Sequence, residues 1–284
     1  MEQSDVLIIS SYGLKTLQIV SFLHRYDLSK INIFCGTSFG SVVCLLLVCG
    51  YTVDEIIHII LKDKIISDIS CIGLLEIMSG DIYFSSIEPV KKKLSEYVIQ
   101  KLGNIPNLYN LYLQTGKILC TSVMNLTSNT PEIFDYQNRK SISCIDAVIF
   151  SMNIPFLFYE LQYNHQKLID GLFGDPIPID YFNDGHHKIS VLCFQRNQED
   201  LKKLPILKKL YSGIFNLIDL LLVQKIYDYT EDENIFIFQL ISSVPNKMSN
   251  DYSPEEKGKF IAEGYNYNIV KTKQTKNIKF QYPV

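Results

Sequence analysis

Residues 31–50 read INIFCGTSFGSVVCLLLVCG, and the architecture of the chain follows from how this stretch must fold. An apolar, β-rich run at Ile31–Cys35 enters Gly36-Thr37-Ser38-Phe39-Gly40, and an apolar helical run at Ser41–Cys49 leaves it. A bare Gly-x-Ser-x-Gly pentapeptide is a common chance match; a buried strand before it and a helix directly after it are the setting of a nucleophile elbow. The reversal leaves no room for Cβ atoms where the backbones close, which accounts for Gly36 and Gly40. The helix following Ser38 aims unpaired N–H groups and a positive dipole end at the elbow, so the Phe39 N–H is a natural oxyanion donor.

Outward from this stretch, short strands alternate with helical periodicity, as in a layered α/β domain. Strands are expected at Val6–Ser10, Ile31–Cys35, Lys117–Val123, Ile189–Phe194 and Ile235–Leu240. Helices are expected at Leu14–Arg25, Ser41–Cys49, Val53–Lys62, Ile87–Leu102, Cys144–Met152, Glu199–Ile226 and Pro254–Val270. Phe156–Tyr163 and Gln166–Ile169, joined by Asn164-His165, read as a hairpin that delivers the chain to Asp170. The expected fold is therefore α/β: a layered, mostly parallel central sheet with helices on both faces and the elbow after the second strand. No linker or repeat divides the 284 residues. We expect a catalytic core over 1–195, an α/β elaboration of the same domain over 196–270, and a polar tail over 271–284.

With 47% hydrophobic residues and a formal charge of −3, the chain has material for a full core and no general electrostatic attraction for nucleic acid. Its seven cysteines lie mostly in apolar stretches without a Cys-x-x-Cys pair, the pattern of buried, reduced thiols in a cytoplasmic setting. The acidic start, Met1-Glu2-Gln3-Ser4-Asp5, does not resemble a signal peptide, and Val42–Cys49 and Ile214–Val223 are too short to span a bilayer. Asn125-Leu126-Thr127 matches a glycosylation sequon that, without an export signal, reads as coincidence.

A serine needs a base. His24 and His58 fall in helical patterns, His165 in the hairpin turn, and His186-His187 in a polar loop. The last two follow a possible acid in Ser…Asp…His order, which keeps a Ser-His-Asp esterase open. Asp170, in Lys167-Leu168-Ile169-Asp170-Gly171-Leu172, offers a carboxylate at a strand end, though an Asp-Gly turn is common in any protein. A free aspartate, with a pKa of about 3.9, is a weak base, so burial must raise it or proton transfer must be concerted with attack.

Several ordered segments together resemble the patatin-like phospholipase family. Gly36–Gly50 and Tyr51-Thr52-Val53-Asp54-Glu55 are similar to its elbow, helix and Gly-Tyr-Ser-x-Glu-Glu stretch. Thr121–Thr127 resembles its Thr-x-x-Asn-Leu strand. Phe150-Ser151-Met152-Asn153-Ile154-Pro155 resembles its Ala-Ser-x-x-x-Pro helix end, with Phe150 in place of alanine. Asp170-Gly171-Leu172 and Asp175-Pro176-Ile177-Pro178-Ile179-Asp180 resemble its Asp-Gly-Gly/Ala and Asn-x-Pro-Val motifs. The likeness spans most of residues 5–182. It implies a Ser-Asp dyad with Ser38 as nucleophile and Asp170 as proton acceptor, Gly171 after the base, an acyl-serine intermediate, and no metal or other cofactor. Phospholipid or lysophospholipid is the implied substrate, with peripheral contact at membranes.

The departure lies in the oxyanion loop. The family's Gly-Gly-Gly-x-Arg/Lys-Gly corresponds here to Ser11-Tyr12-Gly13-Leu14-Lys15-Thr16, where only Gly13 and Lys15 match. Gly13, Tyr12, Lys15 and Phe39 are the oxyanion-hole candidates. Either Ser11 and Tyr12 tolerate the turn, or activity is weakened, since one lost oxyanion donor costs about 10²- to 10³-fold. That outcome would leave a catalytically silent relative that binds lipid or protein. Leu210–Tyr227 is apolar nearly all round, as a core helix is; exposure of one face would make it an interfacial docking site, assisted on anionic lipid by the Lys-containing tail.

Overall fold

The computed structural model describes residues 4–11, 13–63, 86–155, 158–159, 161–194, 206–244 and 252–267, with side chains of the long helix from residue 213 onward. The strands are β1 (Val6–Ser11), β2 (Ile33–Ser38), β3 (Ile118–Asn125), β4 (Thr130–Phe134), β5 (Leu161–Tyr163), β6 (Gln166–Asp170), β7 (Ile189–Phe194) and β8 (Ile235–Leu240). The helices are α1 (Thr16–Phe22), α2 (Phe39–Val48), α3 (Val53–Lys62), α4 (Glu88–Leu102), α5 (Leu108–Thr115), α6 (Cys144–Ser151), α7 (Ile206–Asp228) and α8 (Pro254–Tyr265). The expected residues 199–205, 268–270 and the polar tail lie outside the described residues.

Five strands run parallel in the order β3-β2-β1-β7-β8, and β4, β5 and β6 pair antiparallel around β3. The central strands are apolar without alternation because both faces are covered. Leu7 and Ile9 enter a core with α1, α2, α3, α4 and α6, whereas Val6 and Ile8 enter a second core closed by Ile177, Ile179, Leu222 and Ile226. Helices therefore stand on both faces, with α7 supplying Leu222 and Ile226 to the second. β8 joins the same sheet through β7, and α8 packs on α1.

Two elements lacked a usable periodicity in the sequence. α5 is eight residues of mixed polarity, carried by an Asn107 N-cap and a left-handed Gly116 at its end. β4 is an edge strand whose exposed Thr130-Pro131 start breaks the apolar pattern. β2 also runs past its expected end at Cys35 to Ser38, since Ser11 and Thr121-Ser122 continue to pair beside it. The sequon is structural: Asn125 is buried and its Nδ2 donates to Glu132 at 2.6 Å. Cys35, Cys44, Cys49, Cys120, Cys144 and Cys193 are buried free thiols.

Candidate active site

The register around β3 explains how Ser38 and Asp170 meet. β2 and β4 both pair with Thr121 and Ser122, so they lie on opposite edges of β3. β6 shares Val123–Asn125 with β4 and must therefore lie on the β2 edge. β2 arrives parallel to β3 and last pairs at Thr37↔Ser122, and β6 arrives from the other direction and ends at Asp170↔Val123. Two strands thus meet end to end along one edge, with a nucleophile candidate at one tip and a carboxylate at the other. The two-residue turn that sends β6 back is Asn164-His165, both at positive φ (49° and 63°).

At the meeting point Ser38 Oγ donates to Asp170 Oδ2 at 2.5 Å. Ser38 is 3% exposed and Asp170 is fully buried. Ser38 has φ 55° and ψ −130°, a backbone position that a side-chain-bearing residue keeps only where the surroundings enforce it. α2 starts at the next residue, two residues earlier than its expected start at Ser41. The elbow glycines are required by close approach. A Cβ on Gly36 would lie 2.2 Å from Ser41 Cα, and one on Gly40 would lie 2.0 Å from the Ile9 carbonyl oxygen. Gly171 is held in the same way against the Ser122 carbonyl, at 2.3 Å.

Burial pushes the Asp170 carboxyl up to about 7; hydrogen bonds from the Ser38 hydroxyl and the Leu172 N–H (2.9 Å) pull it back only in part. A carboxyl that titrates there can take up or release a proton near neutral pH.

At the end of β1, Ser11 does not need a glycine's freedom. It is the last residue of β1, opposite Ser38, and its Oγ accepts from Thr16 Oγ1 at 3.0 Å. Gly13 alone among the described loop residues has positive φ, 64°. Lys15 is 3% exposed, and Tyr12 lies outside the described residues. Phe39 is the first residue of α2, at the elbow.

The histidines are elsewhere. His187 lies just before β7 and pairs through Nδ1 with Asp5 Oδ2 at 2.5 Å, at the start of the parallel strands. Ser38 is at their far end, roughly 20 Å away along a six-residue strand. A Ser38–His186 or Ser38–His187 triad is therefore ruled out by the direction of β7. His24 is bound to Asp54 and Tyr265 on the outer surface, and His58 and His165 are exposed.

The sequence pattern assigns no individual role to Ser151 or Asn153. Ser151 Oγ accepts the Ser38 N–H at 3.1 Å, and the Asn153 carbonyl accepts the Asp170 N–H at 2.9 Å. The Phe150–Pro155 motif was the available signal. A cavity of about 590 Å³ lined by Pro131, Glu132, Arg139, Asp175, Pro178 and Tyr181 lies apart from this site. Its charges pair as Glu132–Arg139 and as Asp175 and Asp180 with Lys225. Among the described residues, no three His, Cys, Asp or Glu side chains are grouped to hold a metal ion.

A family model described as patatin-like phospholipase matches residues 11–183. The chain belongs to the patatin-like phospholipase family. It is 28% identical over 190 residues to the "Probable lipid hydrolase" of Invertebrate iridescent virus 6, covering 64% of each chain. It is 26% identical over 209 residues to an uncharacterized protein of Acanthamoeba polyphaga mimivirus, covering 69% of this chain and 67% of that one. The fold is similar to that of VipD from Legionella pneumophila, with TM-score 0.53 and 14% identity over 96% of this chain and 66% of VipD. The chain thus spans slightly under two thirds of the length of the iridescent virus protein and of VipD.

Proposed function

We propose that this patatin-like chain is a lipid acyl hydrolase of the phospholipase A or lysophospholipase type, working through a Ser38–Asp170 dyad. The observation that carries the reading is the 2.5 Å hydrogen bond from the Ser38 hydroxyl, held at a strained elbow, to a buried carboxylate raised to about 7. Ser38 Oγ attacks the ester carbonyl as Asp170 takes its proton. The oxyanion develops beside the first turn of α2 and the Gly13 turn, where the Phe39 N–H is the leading donor because the Ser38 N–H is already given to Ser151. Asp170 returns the proton to the departing alcohol or lysolipid, and a water activated by Asp170 then releases the fatty acid from the acyl-serine.

The described residues include no helix long and apolar enough to cross a membrane. Membrane-surface contact is favoured instead by α7. Ile218, Leu222 and Ile226 are buried, while Leu217, Leu220 and Leu221 are 63%, 45% and 52% exposed at i, i+3 and i+4. The sequence-based expectation of a helix buried all round thus gives way to a one-sided helix. Three leucines are too small an area for a stable dimer, which needs roughly 800 Å² per partner; their size suits a weak, reversible contact with a lipid surface.

The test is fatty-acid release from defined phospholipid and lysophospholipid vesicles, with a fluorophosphonate probe in parallel. Release and labelling by wild type, and neither by Ser38→Ala, are expected. Absence of both in wild type would make the chain a silent lipid- or protein-binding relative.

A further inference from the structure

One short segment at the end of α6 holds the backbone of both dyad residues. Ser151 Oγ accepts the Ser38 N–H at 3.1 Å, and the Asn153 carbonyl accepts the Asp170 N–H at 2.9 Å. Asn153 is tied to β6 a second time, its Nδ2 donating to the Leu168 carbonyl at 2.7 Å. Ser151 and Asn153 are 0% and 2% exposed, so water does not substitute for either contact. α6 itself is anchored at its start by the Ser143 cap and beside β3 by Thr121 Oγ1, which donates to the Ala147 carbonyl at 3.1 Å.

This arrangement answers a need created by the elbow. At φ 55° the Ser38 amide is turned out of the ordinary strand conformation. A buried N–H left without an acceptor is costly, so the strained conformation needs a fixed partner. The two halves of the dyad also come from strands that only abut, and no ladder hydrogen bond between β2 and β6 sets their spacing. Their common partner β3 brings the two strand tips together, and the end of α6 ties down the backbone at those tips.

We propose that Ser151 is a positioning residue for the dyad: its hydroxyl fixes the Ser38 amide while the Asn153 carbonyl fixes that of Asp170, so that α6 locks nucleophile and base at the spacing the β3 register gives. The inference rests on the Ser38–Asp170 reading above. Ser151→Ala should lower kcat on phospholipid vesicles about 10- to 100-fold, the cost of an unpartnered buried donor, with KM within about twofold. Ser151→Thr, which keeps the hydroxyl, should recover most of that loss. Ser190→Ala removes a buried hydroxyl bonded to Ser4 Oγ (2.7 Å) near the start of the parallel strands, away from the dyad and from α6; it should lower Tm comparably yet leave kcat within about twofold.

Amide exchange of Ser38, followed by NMR, reads the elbow without turnover. It should quicken about tenfold or more in Ser151→Ala and return to the wild-type rate in Ser151→Thr. Unchanged kcat and unchanged Ser38 exchange in Ser151→Ala would overturn the proposal. So would an equal fall in kcat in Ser190→Ala, which would mark a loss of stability rather than of position. If wild type releases no fatty acid, the dyad reading fails, and Ser38 exchange alone decides whether Ser151 holds the elbow.

Discussion

The two ends of the parallel sheet each carry a carboxylate paired at 2.5 Å with a side chain of catalytic type, Ser38–Asp170 at one end and His187–Asp5 at the other. Distance does not distinguish them; their surroundings do. Ser38 and Asp170 are 3% and 0% exposed, whereas the His187 and Asp5 side chains are 33% and 34% exposed. Ser38 is strained and backed by the N-terminus of α2, and Asp170 has lost enough hydration to titrate near neutrality. Asp5 instead accepts the Lys188 N–H and caps a loop. On the proposed dyad reading, burial and enforced geometry turn a short polar contact into a reacting pair, whereas the same contact in solvent is an ordinary tie between chain segments.

The largest expected contrast comes from deleting the polar partner at each end. Ser38→Ala should remove about 10³-fold or more of fatty-acid release, and His187→Ala should leave it within about twofold. Comparable losses in both variants would break the contrast. Asp170→Asn should lose activity on the scale of Ser38→Ala, yet be more stable than wild type above pH 7. The folded-state carboxyl titrates near 7 against an ordinary 3.8, so stability is greatest below about pH 4 and falls as pH rises to 7, by roughly 4 kcal/mol at most. Thermal melts of both proteins at pH 5 and pH 8 check this: the gain of the Asn variant on wild type should be larger at pH 8 than at pH 5.

Gly40→Ala brings a Cβ to 2.0 Å from the Ile9 carbonyl oxygen, and moving that backbone should cost about 3 kcal/mol or more, read by urea unfolding. Turnover should also depend on pH. As Asp170 must be ionised to accept the Ser38 proton, kcat should fall about tenfold per unit below pH 7 and level off above it. The smallest effect is at α7, where Leu217→Ser should weaken vesicle co-sedimentation about threefold to tenfold without changing hydrolysis of a soluble ester.

The sequence spoke most clearly where one local rule had a single physical solution. Gly36-x-Ser38-x-Gly40 between two apolar runs could only be a tight strand-to-helix turn, and the unbroken apolar β1 and β7 could only be strands covered on both faces. It spoke less clearly where a residue's meaning depends on a distant neighbour. By sequence alone Ser11 is a departure from a glycine-rich loop, whereas β1 extends through it, beside Ser38 and bonded to Thr16. Ser151 carried no signal beyond its motif, because its partner is a backbone amide 113 residues away.

Chain order and residue type alone thus specify a nucleophile candidate on an elbow and a carboxylate at a strand tip. Their meeting is a property of the sheet: β2 and β6 approach from opposite directions on one edge of β3, a relation among strands far apart in sequence that local periodicity does not encode. The same holds for the basicity of Asp170, since the cost of burying a charge arises from everything packed around it rather than from its neighbours in the chain.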